Sequence, residues 1–365
     1  MSHLIGKHKE DLDTPVLLVD LDVMERNIAD MAGYVKRYGV AWRPHSKCHK
    51  TPAIVHLQMA AGAIGVTCAK LSEAEVMAAS GIRDILIANM IVTPAKAQRL
   101  AALRHYADPI ASIDSPEGAA VLGAAAASAG VTIRAVPELD LGMDRVGVDP
   151  GLPALNLARV IADTKGLALA GVMGYEGQTM MIDDPAEKAT AIRAAIRLLT
   201  DTADLVRREG LPVDIVSAAG TGTYQVAATC PGVTEVQAGG GTFMDRLYTE
   251  KSHITDLGHA LTVLATVVSR RRPGRAVVDA GFKTIGPHHG LPSVIGVEGA
   301  EFTYLSSEHG VLNVTGDADR LKVGDRVELL PGYSDNTMFL HDEIVGTRNG
   351  RVEVVWKIEG RGKIQ

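Results

Sequence analysis

The stretch R-P-H-S-K-C-H-K-T, Arg43 to Thr51, sets Lys47 between His45 and His49 directly after the apolar run V-A-W. A lysine amine whose pKa is lowered by desolvation is a Schiff-base nucleophile, and imidazoles on either side can orient or polarise it. Two later stretches carry a complementary chemistry. S-A-A-G-T-G-T-Y, Ser217 to Tyr224, and Q-A-G-G-G-T-F-M-D, Gln237 to Asp245, place glycines and threonines just past short apolar segments. Glycine lets backbone N–H groups converge on an anion and threonine hydroxyls add donors, so both stretches read as phosphate cradles. Taken singly, a solvated lysine and an ordinary tight turn are the plainer readings.

The surrounding pattern says what must position these groups. T-P-V-L-L-V-D reads as a buried strand, and the helical spacing that follows it ends on Gly39. The same alternation continues through V-A-W-R-P-H, A-I-G-V-T-C-A, D-I-L-I-A-N, P-I-A-S-I-D, T-I-R-A-V-P-E-L-D, A-L-A-G-V-M-G-Y, D-I-V-S-A-A-G and T-E-V-Q-A-G-G, with helical segments between. One of those helices is expected to start on a capping box at Ser72 and Glu75. About eight short apolar strands separated by amphipathic helices predict an α/β fold, a (β/α)8 TIM-type barrel over residues 12–250. A doubly wound open sheet is the structural alternative. In a barrel, chemistry is done at the C-terminal strand ends, which is where Lys47 and both cradles fall. A lysine after an early strand and phosphate cradles after late ones suit pyridoxal 5′-phosphate.

Residues 256–365 have another texture. A-L-T-V-L-A-T-V-V-S-R, R-A-V-V-D-A, E-F-T-Y-L-S-S-E-H-G-V-L-N-V, D-R-V-E-L-L-P and R-V-E-V-V-W-K-I are joined by turns such as R-R-P-G, V-G-D and R-N-G. They predict a second, all-β domain, which residues 1–11 could complete.

Composition removes other function classes. Against 43 acidic residues stand 37 basic ones, a net charge of −6, and the one basic cluster, Arg270, Arg271, Arg272 and Arg275, flanks a Pro-Gly turn. A nucleic-acid partner, which needs a basic face, is not expected. Cys48, Cys68 and Cys230 are odd in number and far apart, arguing against a disulfide framework and for a reducing, cytoplasmic setting. No signal-type segment or membrane span is expected.

R-P-H-S-K-C-H-K-T, V-T-C-A-K-L-S-E-A-E, P-E-L-D-L-G-M-D-R-V-G-V, Y-E-G-Q, G-T-G-T-Y, S-S-E-H-G and P-G-Y-S-D-N-T, in this order from about Thr14 to Lys363, resemble the D-threonine aldolase and D-serine dehydratase group of fold type III PLP enzymes. Relatives of that group include 3-hydroxy-D-aspartate aldolases. The resemblance implies an alanine racemase-like barrel, a β domain, a homodimer with shared active sites and a small amino acid as substrate. It assigns Lys47 to the covalent link with PLP, Arg145 and Tyr175 to the cofactor's surroundings, and Gly220, Thr221, Gly222, Thr223, Gly239 and Gly240 to its phosphate. His45 would orient or polarise the lysine; His49 is equally well a buried structural histidine.

Two departures bear on the reaction. The group carries a divalent metal on a P-x-H-x-D or P-x-H-x-C motif, whereas this chain reads Pro331, Gly332, Tyr333, Ser334, Asp335. Asp335 alone is a poor zinc or manganese site. A histidine expected soon after the Y-x-G motif is replaced by Met181. His288, His289, His309 and His341 remain as substitute ligands or bases. The leading expectation is retro-aldol cleavage of a β-hydroxy D-amino acid to a smaller amino acid and an aldehyde, with or without a metal. Dehydration, racemisation or epimerisation by a Lys47–Tyr333 pair, and PLP binding without catalysis are the alternatives.

Overall fold

A computed structural model describes residues 2–365. The chain divides into two compact units, one of residues up to Ile28, Cys48–Thr51 and Gly240–Arg361, the other of Ala29–Lys47, Pro52–Gly239 and Gly362–Gln365. In chain order the strands are β1 (Val16–Asp20), β2 (Ala41–Trp42), β3 (Val66–Cys68), β4 (Asp84–Ile87), β5 (Asp108–Ile113), β6 (Ile133–Asp140), β7 (Leu167–Leu169), β8 (Gly171–Tyr175), β9 (Ile215–Ala218), β10 (Glu235–Val236), β11 (Leu261–Ser269), β12 (Arg275–Val278), β13 (Ser293–Val294), β14 (Ala300–Leu305), β15 (Gly310–Val314), β16 (Arg326–Leu330), β17 (Glu343–Arg348) and β18 (Arg351–Lys357).

The second unit is the predicted barrel. Its parallel strands run in the order β2-β10-β9-β8-β6-β5-β4-β3, with β7 paired to β6. A parallel bridge between His45 and Thr67 joins the chain beyond β2 to β3 and closes the ring. Leu86, Ile110, Val136, Ala170, Met173 and Ile215, from neighbouring strands and the turn before β8, form one apolar cluster. Strands buried on both faces explain why their sequences are nearly continuous in apolar residues.

The acidic residues that open β4, β5 and β10 form a network of ion pairs that is buried at Arg43 and Glu235 and partly exposed at Asp84, Asp108 and Arg134. Arg43, 2% exposed, bonds Glu235 at 3.0 Å and Asp84 at 2.9 Å, and Arg134 reaches Asp84 at 2.8 Å and Asp108 at 2.7 Å. Buried guanidinium and carboxylate satisfy each other here, which ties strand starts together at the stability end of the barrel. Glu235 is almost as buried as Arg43. Removing the arginine would leave it a charge without compensation.

Val16–Asp20, expected to be the first barrel strand, pairs instead antiparallel with β11 and parallel with β17. A five-residue apolar strand suits any doubly covered sheet, so its pattern does not reveal which sheet it joins. The capping box also fails. Helix Leu71–Ala79 starts after Lys70, Ser72 lies inside its first turn bonding the Gln365 carbonyl, and Glu75 pairs with Arg99 at 2.6 Å.

The first unit is built on a closed antiparallel ring, β11-β12-β15-β14-β13-β16 and back to β11, with β1, β17 and β18 continuing from β11. Leu12, Leu18, Leu264, Val345 and Val352 pack together in this extension. The R-N-G turn links β17 to β18 with Asn349 at φ 51° and Gly350 at φ 73°. Two left-handed residues make the turn whose twist matches a tight hairpin. The amides of Gly6 and Lys9 bond the carbonyls of Val352 and Gly350, so the N-terminal residues run along this hairpin. Among the described residues no helix is long and apolar enough to cross a membrane.

Candidate active site

In the barrel unit, the predicted residues gather at the C-terminal strand ends. Lys47 lies in the single 3-10 turn Ser46–Cys48 that follows the His45 bridge. That turn is pinned from below, because the buried Ser46 hydroxyl donates to Glu73 at 2.6 Å and Glu73 accepts the Ala69 amide at 3.1 Å. The Lys47 amide donates to His45 Nδ1 at 3.3 Å, so the His45 ring braces the turn that carries the lysine. The Lys47 side chain is exposed.

Arg145 is positioned by an Asp-centred turn. After β6, Asp140 accepts the amides of Gly142, Met143 and Asp144 at 2.9, 2.8 and 3.0 Å, which winds the chain so that Arg145 reaches back. Its guanidinium carbon stands 5.9 Å from the centre of the Tyr175 ring, and it lies 3.8 Å from the buried Glu138. Burial raises the Glu138 carboxyl above its ordinary value, and Arg145 acts in the opposite sense.

Tyr175 ends β8 and meets the first cradle. A Cβ on Gly220 would come within 3.1 Å of the Tyr175 ring, and one on Gly239 would stand 2.2 Å from the His45 carbonyl oxygen. Only glycine permits that second approach. Thr221, Gly222 and Thr223 are buried. Glu176, next to Tyr175, has no exposed surface, and its carboxyl accepts the Ala219 amide at 3.4 Å. Met181 is 52% exposed at the end of the 3-10 segment Gly177–Met181.

The other unit gathers a second set. The Tyr333 hydroxyl donates to Asp335 at 2.7 Å, the His289 ring stands edge-on 5.2 Å from the Tyr333 ring, and His288 lies 4.1 Å from His289. The segment carrying Tyr333 is held by the start of helix Arg246–Glu250, whose Arg246 and Leu247 amides bond the Pro331 and Gly332 carbonyls. Asp245 completes the clamp. One carboxyl oxygen accepts both the amide and the hydroxyl of Ser334 at 2.8 Å, while the other caps the helix at the Tyr248 amide, 3.1 Å away. A Cβ on Gly240 would press to 2.6 Å on the Tyr248 ring.

His49 accepts the Thr51 amide and meets Phe243 edge-on, His341 bonds the Thr284 carbonyl, and His309 lies exposed in the β14–β15 turn. Among the described residues no three His, Cys, Asp or Glu side chains converge as metal ligands. The Tyr333 hydroxyl occupies an Asp335 oxygen where an imidazole would have offered a lone pair, so these residues do not fit the metal that the resemblance implies.

Asp245, Glu138 and Glu176 were not legible as site residues in the sequence. Burial pushes the Asp245 carboxyl up to about 7 against the hydrogen bonds from Ser334 and Tyr248, and nearby Asp335 adds to the rise. A carboxyl that ordinarily titrates near ~4 then keeps its proton in the folded chain after the unfolded chain has lost it. Its contribution to stability is fully present below the unfolded value and is lost as pH rises toward about 7. Glu138 and Glu176, also raised by burial, act in the same sense. Urea midpoints should therefore fall as pH rises from the ordinary carboxylate value to about 7, with at most about 1.4 kcal/mol per pH unit from Asp245, and Asp245→Asn should flatten the fall. Parallel profiles for the two proteins would remove this carboxyl from the account.

Comparison with known proteins places the chain among relatives along its whole length. Residues 19–246 match the family described as alanine racemase, N-terminal domain, and residues 260–347 match the putative serine dehydratase domain. A 3-hydroxy-D-aspartate aldolase of Paracoccus denitrificans is 37% identical, covering 99% of this chain and 95% of its own. A D-threonine aldolase of an Arthrobacter species is 36% identical over 96% and 93%. The crystal structure of D-threonine aldolase from Filomicrobium marinum superposes with a TM-score of 0.96 at 36% identity, covering 99% of both chains.

Proposed function

Because the chain belongs to the D-threonine aldolase and D-serine dehydratase group of the alanine racemase N-terminal domain family, we propose that it is a PLP-dependent carbon–carbon lyase. Its substrate is a β-hydroxy D-amino acid, cleaved to a smaller amino acid and an aldehyde. The observation that carries the reading is the shared rim: Lys47 after β2, Tyr175 at the end of β8, Gly220–Thr223 after β9 and Gly239 after β10 all follow the C-terminal ends of one closed parallel barrel.

The residues fit PLP. Lys47 offers the amine for covalent attachment on a turn held in place, and the Gly220–Thr223 turn lies against the Tyr175 ring at a distance that admits no Cβ without movement. Bound PLP supplies an electron sink for the electron pair of a breaking bond at the substrate's Cα. Lys47 would hold the cofactor covalently, and Arg145 and Tyr175 would line the surroundings of its ring.

The second half of the chemistry is a proton. Retro-aldol cleavage requires the β-hydroxyl to lose its proton as the Cα–Cβ bond breaks and the carbonyl forms. Tyr333 Oη takes that proton while its own passes to Asp335 Oδ2, along the hydrogen bond already formed at 2.7 Å. No step in this scheme uses a metal. Active sites shared in a homodimer would let either copy of the chain supply Tyr333.

Metal-stripped protein loaded with PLP and offered D-threonine, D-serine and D-3-hydroxyaspartate in heavy water is expected to release glycine and aldehyde from the first and third. Chelator and added manganese should each change the rate by less than about threefold, which is under ~1 kcal/mol. Keto acid and ammonia as the main products would make the protein a dehydratase. Deuterated, inverted amino acid without cleavage would replace the lyase by a racemase, and a bound cofactor that turns over no amino acid would leave a PLP-binding protein.

A further inference from the structure

Glu176 is a carboxyl that the proposed reaction does not use, in a place where a charge is hard to sustain. It has no exposed surface, and Oε1 has no hydrogen-bond partner among the described residues. No cation pairs with it among the ion pairs of the described residues. An ionised carboxylate sealed in without a counter-charge is strongly disfavoured, whereas the neutral acid leaves only an unmatched dipole.

Its neighbours are the two ends of the first cradle. At one end, Oε2 accepts the amide of Ala219, whose φ of 65° is a left-handed conformation that residues bearing a Cβ rarely adopt. Such a conformation persists where the surroundings over-determine it. At the other end, the Thr223 hydroxyl accepts the Gly220 amide at 3.2 Å, and the same side chain favours the charged form of the Glu176 carboxyl. Thr223 and Tyr224 donate their own amides to the Gly220 carbonyl, closing the turn. Glu176 therefore holds the residue before the turn by a hydrogen bond and acts electrostatically with the residue that ends it, while Tyr175 fills the space beside Gly220.

We propose that Glu176 is a positioning residue for the phosphate of the cofactor, holding the Gly220–Thr223 turn open to a dianion from beneath, as an uncharged acid. The inference rests on the PLP reading of this rim. An uncharged acid is the form the role requires, because a carboxylate beside the turn would repel the phosphate that the turn collects. The buried position favours the protonated form, with burial as the main cause of its raised pKa and Thr223 and the Ala219 amide opposing it.

The test compares two ligands on the apoprotein, PLP and pyridoxal, which differ by the phosphate alone. Dissociation constants come from the visible absorbance of the bound aldehyde and from quenching of protein fluorescence. Glu176→Ala should weaken PLP by about tenfold or more, the equivalent of one decade in Kd, and leave pyridoxal within about twofold. Glu176→Gln, isosteric and uncharged, should keep PLP within about threefold of wild type.

Equal weakening of both ligands by Glu176→Ala would make the residue part of the fold and nothing more, and unchanged affinity for both would remove it altogether. A phosphate-selective loss in Glu176→Gln would overturn the uncharged form, and that variant decides the matter if the alanine protein does not fold. Wild-type protein that binds neither ligand would instead bring down the cofactor reading, before any variant is compared.

Discussion

Lys47→Ala is expected to leave PLP without its covalent link, so that the visible band of the bound cofactor is lost and cleavage falls by ~10⁴-fold or more. The fold should survive the change. Lys47 is an exposed side chain on a turn whose anchors are Ser46 and Glu73, and exposed truncations of this kind shift stability by about 0.5 kcal/mol or less. Thermal unfolding close to wild type with activity gone would thus separate chemistry from folding. A small primary amine added to the solution should restore part of the rate by replacing the lysine as a transferable amine. An unchanged spectrum in Lys47→Ala would remove the central assignment, and with it the reading of the Gly220–Thr223 turn as a cofactor cradle.

The parts of this molecule that were legible in its sequence are those where local chemistry and global position agree. Short apolar strands with helices between them specify a parallel barrel because both sheet faces are covered, and β3 to β10 obey that pattern. The placement of Lys47 and the two glycine stretches at strand ends was readable for the same reason, because each follows directly on a short apolar strand. Gly239 follows this logic most strictly, since the His45 carbonyl leaves no room for a side chain.

What escaped the reading depends on partners distant in sequence. Nothing in V-L-L-V-D distinguishes a barrel strand from the neighbour of β11 and β17, because the choice is made by residues more than 200 positions away. Ser72 and Glu75 have the spacing of a capping box, yet the carbonyl of Gln365 and the guanidinium of Arg99 take them for other bonds. Asp245, Glu138 and Glu176 are acidic residues in apolar surroundings, and that is a signal of sorts. An acid within or just past an apolar strand-end motif, as in P-E-L-D, Y-E-G-Q and F-M-D, is either a buried partner of donors or a group whose proton is held. Only the structure says that Asp245 faces Ser334 and Tyr248, and that Glu176 faces Ala219 and Thr223.

Two carboxyl groups, one in each unit, differ in burial. Glu176 lies sealed beside the Gly220–Thr223 turn, where burial raises its carboxyl above the ordinary value. Asp335 is partly exposed and accepts the Tyr333 hydroxyl at 2.7 Å. Burial disfavours the charged form of Glu176, because desolvation opposes it. The Asp335 carboxyl also bears on the choice between the proposed cleavage and racemisation. A racemase base on the opposite face of Cα must work as a phenolate for one half of the reaction, and a carboxylate 2.7 Å away opposes that charge.

Tyr333→Phe should accordingly slow cleavage by about 10²- to 10³-fold, the range of a general acid–base group, and act mainly on kcat. The phenyl ring keeps its edge contacts with His289 and Tyr248, so the segment held by Asp245 should stay in place. The cofactor band should be unchanged, because the phosphate cradle and Lys47 belong to other strand ends. Exchange of the α-proton of D-alanine, which has no β-hydroxyl to deprotonate, should proceed at the wild-type rate in heavy water. Asp335→Asn should mimic the loss of the tyrosine hydroxyl, and the double variant should be no slower than the slower single one, as expected for two groups that pass a single proton. Cleavage by Tyr333→Phe at the wild-type rate would move the proton to another acceptor, with His289 the nearest. Loss of α-proton exchange together with cleavage would show instead that Tyr333 works at Cα, and would return the racemase pair to first place.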